Sequence, residues 1–297
     1  MHSVRAQAAA QHPRWHAHAY NRAAFYRLGE ALGWIPRGVR LALARRLGRL
    51  APRFLPAERA VVRKTLAIVT GASGRRLDEL TARLFADFAM CFSDLVALER
   101  GSAGGRLAPV DAGSGAGDIA GRPSGIVSVT AHVGNWELAG RLLAAGASRR
   151  THVVVAPDEA PELERWVRRN GAGVRFVPRA HPEVGVELLA ALRRGEVVAL
   201  QGDRAIGSRA DVSIPFFGRP ALFPLGPFVL ARAAGVPVVP AFCVLDRGYR
   251  YTLRVGAPIA VERGDEERAA RAWVGLLEDV VRDHPTQWFN FFDVWSP

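Results

Sequence analysis

The sequence contains few of the residues that stabilise small secreted folds. Its 297 residues include two cysteines, Cys91 and Cys243, which lie in apolar surroundings without a CxxC spacing. This pattern argues against a disulfide framework and predicts buried, reduced thiols in a cytosolic compartment. No run approaches the ~18 to 20 consecutive apolar residues that a transmembrane helix needs. The first residues also lack the apolar core of a signal peptide, so we expect a peripheral, uncleaved protein.

Several nucleotide-binding and hydrolase motifs are missing as well. The glycine-rich stretch 113–117 does not keep the dinucleotide-binding spacing, no Walker lysine lies near it, and no GxSxG nucleophile elbow occurs. Lys64 is the only lysine among 40 basic residues, which we attribute to coding bias. The formal net charge of +12 nevertheless predicts a partner of opposite sign. Since no nucleic-acid-binding module accompanies this charge, we expect an anionic membrane surface or an acidic carrier protein, and no nucleic acid.

Strand and helix patterns alternate from Ile126 onward. The predicted strands are 126–130, 152–157, 174–179, 196–203, 236–245 and 249–255. The predicted helices in this part are 161–169, 182–194, 226–234 and about 266–282. This alternation predicts an α/β fold with a mostly parallel central sheet covered by helices on both faces, and the last two strands should form an antiparallel hairpin.

The N-terminal third has the pattern of an amphipathic helical region. Val39, Leu43, Leu47 and Leu50 recur at helical spacing with arginines between them, and Pro36 should break or kink the segment. Such a helix can lie in the headgroup region of an anionic membrane. Ordinary packing of the apolar stripe on the domain is equally compatible with this pattern.

An imidazole and a carboxylate lie five positions apart where the first of these strands meets a helical pattern. His132 follows the strand, Asn135 is a candidate N-cap, and Glu137 falls in the first helical turn. On one continuous helix, positions i and i+5 are about 140° apart, so the two side chains can meet only if His132 precedes the helix. Glu137 would then hold one ring nitrogen while the other acts as a general base. Taken alone, a histidine after a strand is more often structural, and no further zinc ligands lie nearby.

The run from His132 to Glu137 (HVGNWE) resembles the signature of the late lipid A acyltransferases, within the wider lysophospholipid acyltransferase group. That signature is a histidine, four residues and then an acidic residue. The resemblance extends from about Arg22 to the C-terminus. Further matching segments occur in order along the chain at 177–179, 195–198, 202–204, 215–218 and 287–289. An ordered set of this kind is more specific than any one motif.

The resemblance implies an O-acyltransferase in which His132 deprotonates an acceptor hydroxyl and Glu137 orients His132. The implied acyl donor is a thioester, usually of acyl carrier protein, with coenzyme A as the alternative; no metal or other cofactor is implied. The acceptor would be a lipid or glycolipid, with lipid A as the family's example. The expected location is the cytoplasmic face of the bacterial inner membrane, although this chain departs from the many relatives that carry an N-terminal membrane-spanning helix.

Five further residues are candidates for substrate binding: Asn135, Arg179, Asp203, Arg204 and Phe217. The resemblance implies that Arg179 holds an anionic group and that Asp203 organises the pocket by pairing with an arginine. Phe217 would line an acyl-chain groove. A solvated arginine, a turn aspartate and a core aromatic are the structural alternatives. His132, Arg179 and Asp203 all follow predicted strands, at the edge where open α/β sheets place their sites, and amides near Gly134 are candidate oxyanion donors.

We expect residues 1–20 to be disordered, 21–100 to form a helical, membrane-associating region, and 101–297 to form the α/β acyltransferase core. The last two segments should share one structural domain. Two other functions remain open at this stage. One is hydrolysis of acyl thioesters, and the other is non-catalytic lipid binding by a peripheral membrane protein of the same fold.

Overall fold

The computed structural model describes residues 34–97, 110–111, 122–136, 149–155, 173–179, 182–205, 207 and 210–295. Within these segments, nine strands form a seven-stranded sheet and a separate two-stranded hairpin. The strands are β1 (Val110–Asp111), β2 (Ile126–Thr130), β3 (Thr151–Val155), β4 (Val174–Pro178), β5 (Val197–Gln201), β6 (Asp211–Phe216), β7 (Arg219–Pro224), β8 (Val238–Leu245) and β9 (Tyr251–Val255). The sheet order is β1-β9-β8-β2-β5-β3-β4.

The strand pairs give the sheet its mostly parallel character. Strands β8, β2, β5, β3 and β4 run parallel to their neighbours, β9 runs antiparallel to β8, and β1 runs parallel to β9. The carboxyl ends of β2, β5, β3 and β4 therefore meet at one edge, which we call the carboxyl edge. The α/β fold class predicted from the alternating pattern is confirmed.

Six α-helices are described, together with two short 3₁₀ helices, Ala51–Arg53 and Pro285–Gln287. The α-helices are α1 (Arg37–Leu50), α2 (Pro56–Thr70), α3 (Gly74–Ala97), α4 (Val184–Arg193), α5 (Gly226–Ala234) and α6 (Glu266–Asp283). As expected from the fixed φ of proline, α1 begins directly after Pro36. The predicted helix 161–169 and the expected disordered segment 1–20 lie outside the described residues.

The sheet carries one apolar core on each face. The first core contains Val127 and Val129 of β2 and the inward faces of α4, α5 and α6. The second contains Ile126 of β2 and the inward faces of α1, α2 and α3. Because successive side chains of a strand point to opposite faces, this division follows from the alternation along β2. The prediction of helices on both faces of the sheet is thereby confirmed.

The hairpin of β6 and β7 was not anticipated from the sequence. Phe216 pairs with Arg219, which leaves Phe217 and Gly218 as a two-residue turn with φ values of 49° and 73°. Two positive φ values in a two-residue loop suit the right-handed twist of a hairpin. The prolines and aromatics of this segment obscured the strand pattern, because proline is disfavoured in central strands.

No helix in the described parts of the chain combines the length and apolar character needed to cross a bilayer. Both cysteines are free and buried, as predicted. Burial raises the pKa of the Cys243 thiol to about 12 and raises that of Cys91 well above its usual value. Thiolates are the reactive form of cysteine, so neither residue is suited to act as a nucleophile.

Candidate active site

The turn after β2, residues 131–135, holds His132 at the carboxyl edge; we call it the His132 turn. Hydrogen bonds from two other segments fix its backbone. The Gly134 amide donates to the Gln287 carbonyl at 2.8 Å, and the Phe289 amide donates to the His132 carbonyl at 2.7 Å. The turn is thus held on one side by the C-terminal segment that follows α6.

The other side of the His132 turn lies against the end of β8. The Asn135 amide donates to the Cys243 carbonyl at 2.8 Å. Gly134 has a φ of +57°, and a Cβ atom there would lie 2.0 Å from the Cys243 carbonyl oxygen. Only glycine fits this position, because it alone combines the left-handed conformation with so close an approach to β8.

His132 and Asp203 form the centre of the site. Asp203 follows β5 at the carboxyl edge, and β5 is the direct neighbour of β2. One carboxylate oxygen of Asp203 lies 2.8 Å from His132 Nδ1, and the other accepts the His132 backbone amide at 3.0 Å. The indole Nε1 of Trp288 donates to the second oxygen at 3.0 Å. Asp203 therefore has three hydrogen-bond contacts, although its side chain is fully buried.

The charge state of Asp203 follows from these contacts. Burial raises the pKa of the carboxyl group, but the charge of His132, its hydrogen bonds and the charge of Arg204 outweigh burial and lower the pKa to about 2. An ionised carboxylate can only accept hydrogen bonds, so His132 Nδ1 must carry its proton towards Asp203. The lone pair of the neutral imidazole is then on Nε2, which is the arrangement of a general base with an orienting carboxylate.

An aromatic neighbour restricts the ring of His132 on a further side. Trp136 contacts the imidazole edge-on, with ring centroids 5.0 Å apart. The side chain of His132 keeps 8% of its surface exposed, whereas that of Asp203 has none. The imidazole is thus the part of the pair that reaches the surface of the carboxyl edge.

Sequence reasoning missed the contact between His132 and Asp203. Both residues follow apolar segments that were predicted as strands of one parallel sheet. The order of the strands in that sheet cannot be predicted from either segment alone, so their proximity was not evident. Glu137, which the sequence analysis assigned as the orienting residue, lies outside the described residues. Its assignment stays a prediction.

Arg204 lies beside the pair, whereas Arg179 lies at the far end of the carboxyl edge. The Arg204 guanidinium stacks over the Phe292 ring at 4.7 Å, and its charge acts on Asp203. Arg179 is exposed and follows β4, three strands from β2, and its amide donates to the Val155 carbonyl at 2.8 Å. Strands lie about 4.8 Å apart, so its backbone is roughly 14 Å from that of His132. Both substrate-binding roles stay predictions.

Asn135 and Phe217 both form hydrogen bonds with parts of the fold other than His132. The Asn135 side-chain amide is buried and donates to the Cys91 carbonyl at 3.3 Å and to the Tyr251 hydroxyl at 3.4 Å. The Phe217 amide donates to a carboxylate oxygen of Glu278 in α6 at 2.9 Å. Both residues therefore have a structural role. Their predicted contacts with substrate stay predictions.

The expectation that amides near Gly134 stabilise the oxyanion stays a prediction, but two of these amides are already engaged. The amides of Gly134 and Asn135 were candidate donors, but both already donate to protein carbonyls within the fold. A donor that is engaged in this way cannot also stabilise a developing negative charge. Among the described residues, no three His, Cys, Asp or Glu side chains lie close enough to share a metal ion.

The chain is therefore an α/β protein with a histidine–carboxylate pair at the carboxyl ends of two parallel strands. The chain belongs to the bacterial lipid A biosynthesis acyltransferase family, whose profile matches residues 11–296. The resemblance found from the sequence motifs is confirmed.

The chain is also similar to curated mycobacterial proteins named phosphatidylinositol mannoside acyltransferase. The protein of Mycolicibacterium smegmatis (strain ATCC 700084 / mc(2)155) is 26% identical over 279 residues, which cover 90% of each chain. That of Mycobacterium tuberculosis (strain ATCC 25618 / H37Rv) is 29% identical over 176 residues. The second match covers 58% of this chain and about half, 54%, of the length of the relative.

Proposed function

We propose that the protein moves a fatty-acyl group from a thioester to a hydroxyl group of a lipid or glycolipid. The observation that carries this proposal is the hydrogen bond of 2.8 Å between His132 Nδ1 and the buried, ionised Asp203 at the carboxyl edge. It supplies a base and an orienting carboxylate, which suits a reaction in which the substrate itself provides the attacking oxygen. Family membership favours the same reaction.

The proposed reaction proceeds in one displacement through a tetrahedral intermediate. His132 Nε2 removes the proton of the acceptor hydroxyl while the oxygen attacks the thioester carbonyl carbon. The carbon–sulfur bond then breaks, and the departing sulfur takes the proton back from the imidazolium. Asp203 keeps Nδ1 protonated and stabilises the imidazolium, as an orienting carboxylate does in hydrolytic triads. General base catalysis of this kind contributes about 10²- to 10⁴-fold to the rate.

The acyl donor in this proposal is acyl carrier protein, with coenzyme A as the alternative carrier. Acyl carrier protein is acidic, and the chain carries a formal net charge of +12. Opposite charges raise the rate of encounter between proteins, more so at low salt. The rate of acyl transfer should be measured with each of the two thioesters at several salt concentrations. Only the rate with acyl carrier protein should fall as salt rises, because electrostatic steering acts between two protein surfaces.

The names of the relatives bear on the acceptor. The family takes its name from lipid A biosynthesis, whereas the curated relatives are named for a phosphatidylinositol mannoside. The similarity to M. smegmatis extends over 90% of both chains, which favours a mannosylated phospholipid acceptor over a lipid A precursor. We place the reaction at the cytoplasmic face of the bacterial inner membrane, where such an acceptor and acyl carrier protein meet.

The function is tested with the purified full-length protein, radiolabelled acyl carrier protein thioester and vesicles that contain the acceptor. Phosphatidylinositol mannoside and a lipid A precursor are supplied in separate reactions. We expect label to pass to the mannosylated lipid, and His132→Ala to abolish the transfer while circular dichroism stays unchanged. Full activity of His132→Ala would contradict the mechanism. Free fatty acid released without any acceptor would identify a thioester hydrolase instead.

A further inference from the structure

Helix α1 has a buried face and an exposed face with different chemistry. Leu41 and Gly48 are buried on the side that faces α3. A Cβ atom at Gly48 would lie 2.6 Å from the Phe85 carbonyl oxygen, so the backbones of α1 and α3 are in direct contact there. Close contact through a glycine fixes the rotation of α1 about its own axis. The direction of its exposed face is therefore fixed too.

The exposed face of α1 and the turn after it are apolar. Val39, Leu43, Leu47, Leu50 and Phe54 keep 53%, 45%, 66%, 42% and 78% of their surface exposed. We call these five residues the apolar ridge. The four on α1 recur every three or four residues and thus share one side of the helix. Because it is favourable to remove large apolar side chains from water, covering the ridge would stabilise the resulting complex.

Positive charge surrounds the apolar ridge. Helix α1 contains five arginines and no acidic residue. Arg46, Arg49 and Arg53 are exposed and form no ion pair with any residue that the structure describes. Arginines close to an anionic lipid surface strengthen binding to that surface. An apolar strip flanked by unpaired arginines matches the boundary between acyl chains and anionic headgroups better than it matches a protein surface.

We propose that the apolar ridge docks on an anionic lipid bilayer, with its side chains in the headgroup boundary and the three arginines on lipid phosphates. The pattern of the four α1 residues allowed either a membrane face or packing on the domain, and their exposure excludes packing on the described part. Binding of the apolar ridge to a bilayer does not depend on the proposed acyl transfer. The docking proposal and the proposed function can therefore be refuted independently.

The docking surface is tested by flotation of the full-length protein with vesicles. Vesicles of phosphatidylcholine with phosphatidylglycerol are compared with vesicles of phosphatidylcholine alone. We expect binding to the anionic vesicles, and at least a tenfold loss of affinity in the double variant Leu47→Asp/Phe54→Asp, since two buried apolar contacts are exchanged for two repelled charges.

The matched control is Val186→Asp/Val229→Asp, at two exposed apolar side chains on α4 and α5. Val186 is 72% exposed and lies on α4, which packs on the opposite face of the sheet. Unchanged binding of this control is expected. Equal losses in both variants, or no binding of the wild-type protein to anionic vesicles, would overturn the proposal. A dimer that light scattering shows to dissociate in the Leu47→Asp/Phe54→Asp variant would assign the ridge to a second copy.

A different observation connects α1 with the His132 turn. Asp94 of α3 is buried and accepts hydrogen bonds from two arginines in the first turn of α1. The shortest contacts are 2.7 Å to Arg37 and 2.7 Å to Arg40. The hydroxyl of Tyr251 donates to the same carboxylate at 3.1 Å. Tyr251, which has no exposed surface, in turn accepts the side-chain amide of Asn135 at 3.4 Å.

This buried chain of hydrogen bonds is expected to be stiff. Breaking a buried ion pair on one side is strongly destabilising, because the remaining charge stays uncompensated. The residue at its other end, Asn135, is the last residue of the His132 turn and has its amide bound to Cys243. Movement of Asn135 would therefore move the turn that carries His132.

We infer that Tyr251 and Asp94 are positioning residues that fix the His132 turn relative to α1. This inference rests on the proposed function, since it concerns how His132 meets an acceptor held in the bilayer. The distance between His132 and the docked helix α1 would then be constant. A displacement of about 1 Å in such a geometry can cost 10²-fold in rate.

The inference is tested with Tyr251→Phe, which removes the hydroxyl and keeps the ring. We expect about a tenfold lower kcat, with an unchanged KM for the acyl thioester and unchanged vesicle binding. The matched control is Tyr249→Phe. Tyr249 accepts a hydrogen bond from Arg45 of α1 at 3.2 Å but is not in the chain that reaches Asn135, so its variant should keep wild-type kcat.

Arg37→Gln is the second variant, in case Tyr251→Phe does not fold, because Arg37 lies at the exposed end of the chain. It should also lower kcat, by a smaller factor. Wild-type kcat in a folded Tyr251→Phe or Arg37→Gln variant would overturn the inference. Hydrogen exchange of the peptide containing residues 131–135 provides a readout without turnover. Faster exchange in Tyr251→Phe but not in Tyr249→Phe is expected even if the proposed reaction is wrong.

Discussion

At the scale of single residues, the site depends on how a buried carboxylate is kept ionised. Asp203 has no exposed surface, and burial alone would favour its neutral form. The charge and hydrogen bonds of His132 and the charge of Arg204 reverse that preference. Trp288 donates a further hydrogen bond to the carboxylate. Because the carboxylate is held by three donors, each donor should affect both the orientation of His132 and the stability of the fold.

Trp288→Phe removes one of these donors and retains a large aromatic side chain. We expect about a tenfold loss of acyl transfer, since one charge-assisted hydrogen bond is worth roughly 1.5–3 kcal/mol and part of this loss is shared with folding. Trp295→Phe is the control, because Trp295 also donates an indole hydrogen bond, at 3.0 Å, but to the Phe216 carbonyl. Steady-state kinetics of both variants would measure the difference. Equal activities of the two variants would show that the hydrogen bond from Trp288 to Asp203 does not contribute to acyl transfer.

The lowered pKa of Asp203 makes a prediction about stability in acid. The pKa falls from 3.8 to about 2 on folding, so the stabilisation is fully present above pH 3.8 and is lost as the pH falls through about 2. We expect Asp203→Asn to be less stable than the wild type at neutral pH by about 2 kcal/mol. Urea unfolding at several pH values should show this difference shrinking between pH 4 and pH 2. A difference that grows in acid would contradict the assignment.

At the scale of elements, the His132 turn is defined by its neighbours more than by its own sequence. The C-terminal segment contributes the Gln287 carbonyl and the Phe289 amide, and β8 contributes the Cys243 carbonyl. The Gln287 side chain also forms two hydrogen bonds with the backbone of Leu245, at 2.6 and 2.8 Å. The end of the chain therefore connects β8 to the His132 turn.

Gly134→Ala tests this close packing. The added Cβ would lie 2.0 Å from the Cys243 carbonyl oxygen, in addition to the strain of a positive φ, so we expect a loss of more than about 2 kcal/mol in unfolding free energy. The control is Gly71→Ala, at a φ of +67° with no atom within 4 Å of the new Cβ. Its cost should be about 1 kcal/mol, from backbone strain alone. Thermal unfolding of both variants provides the comparison, and equal costs would refute the steric argument.

At the scale of the whole molecule, the sequence predicted the architecture better than it predicted the site. Strand β2 and helix α5 were predicted with the observed bounds, because their apolar periodicity is regular and glycines or prolines flank them. The β6–β7 hairpin was missed because prolines occur within its strands. The partnership of His132 with Asp203 depends on β2 lying next to β5, 71 residues along the chain, and no local pattern encodes that neighbour.

A second histidine–carboxylate pair shows why position in the fold matters. His152 Nε2 lies 2.7 Å from a carboxylate oxygen of Glu196, but His152 has no exposed surface and lies at the start of β3, opposite the carboxyl edge. We expect His152→Gln to lower the unfolding temperature by several degrees while the folded fraction keeps its activity. His132→Gln should instead abolish the activity of the folded protein, because it removes the general base. Loss of activity in a fully folded His152→Gln variant would contradict this division.

In the proposed reaction, His132, oriented by ionised Asp203, deprotonates the acceptor hydroxyl. The most direct measurement is the rate of acyl transfer by Asp203→Asn, which keeps the shape of the side chain but removes its charge, beside that of Glu137→Gln. We predict that Asp203→Asn lowers kcat by at least about 10²-fold while far-ultraviolet circular dichroism is unchanged, because the imidazole loses its tautomer and its countercharge. Wild-type kcat in Asp203→Asn, with the loss confined to Glu137→Gln, would contradict the account.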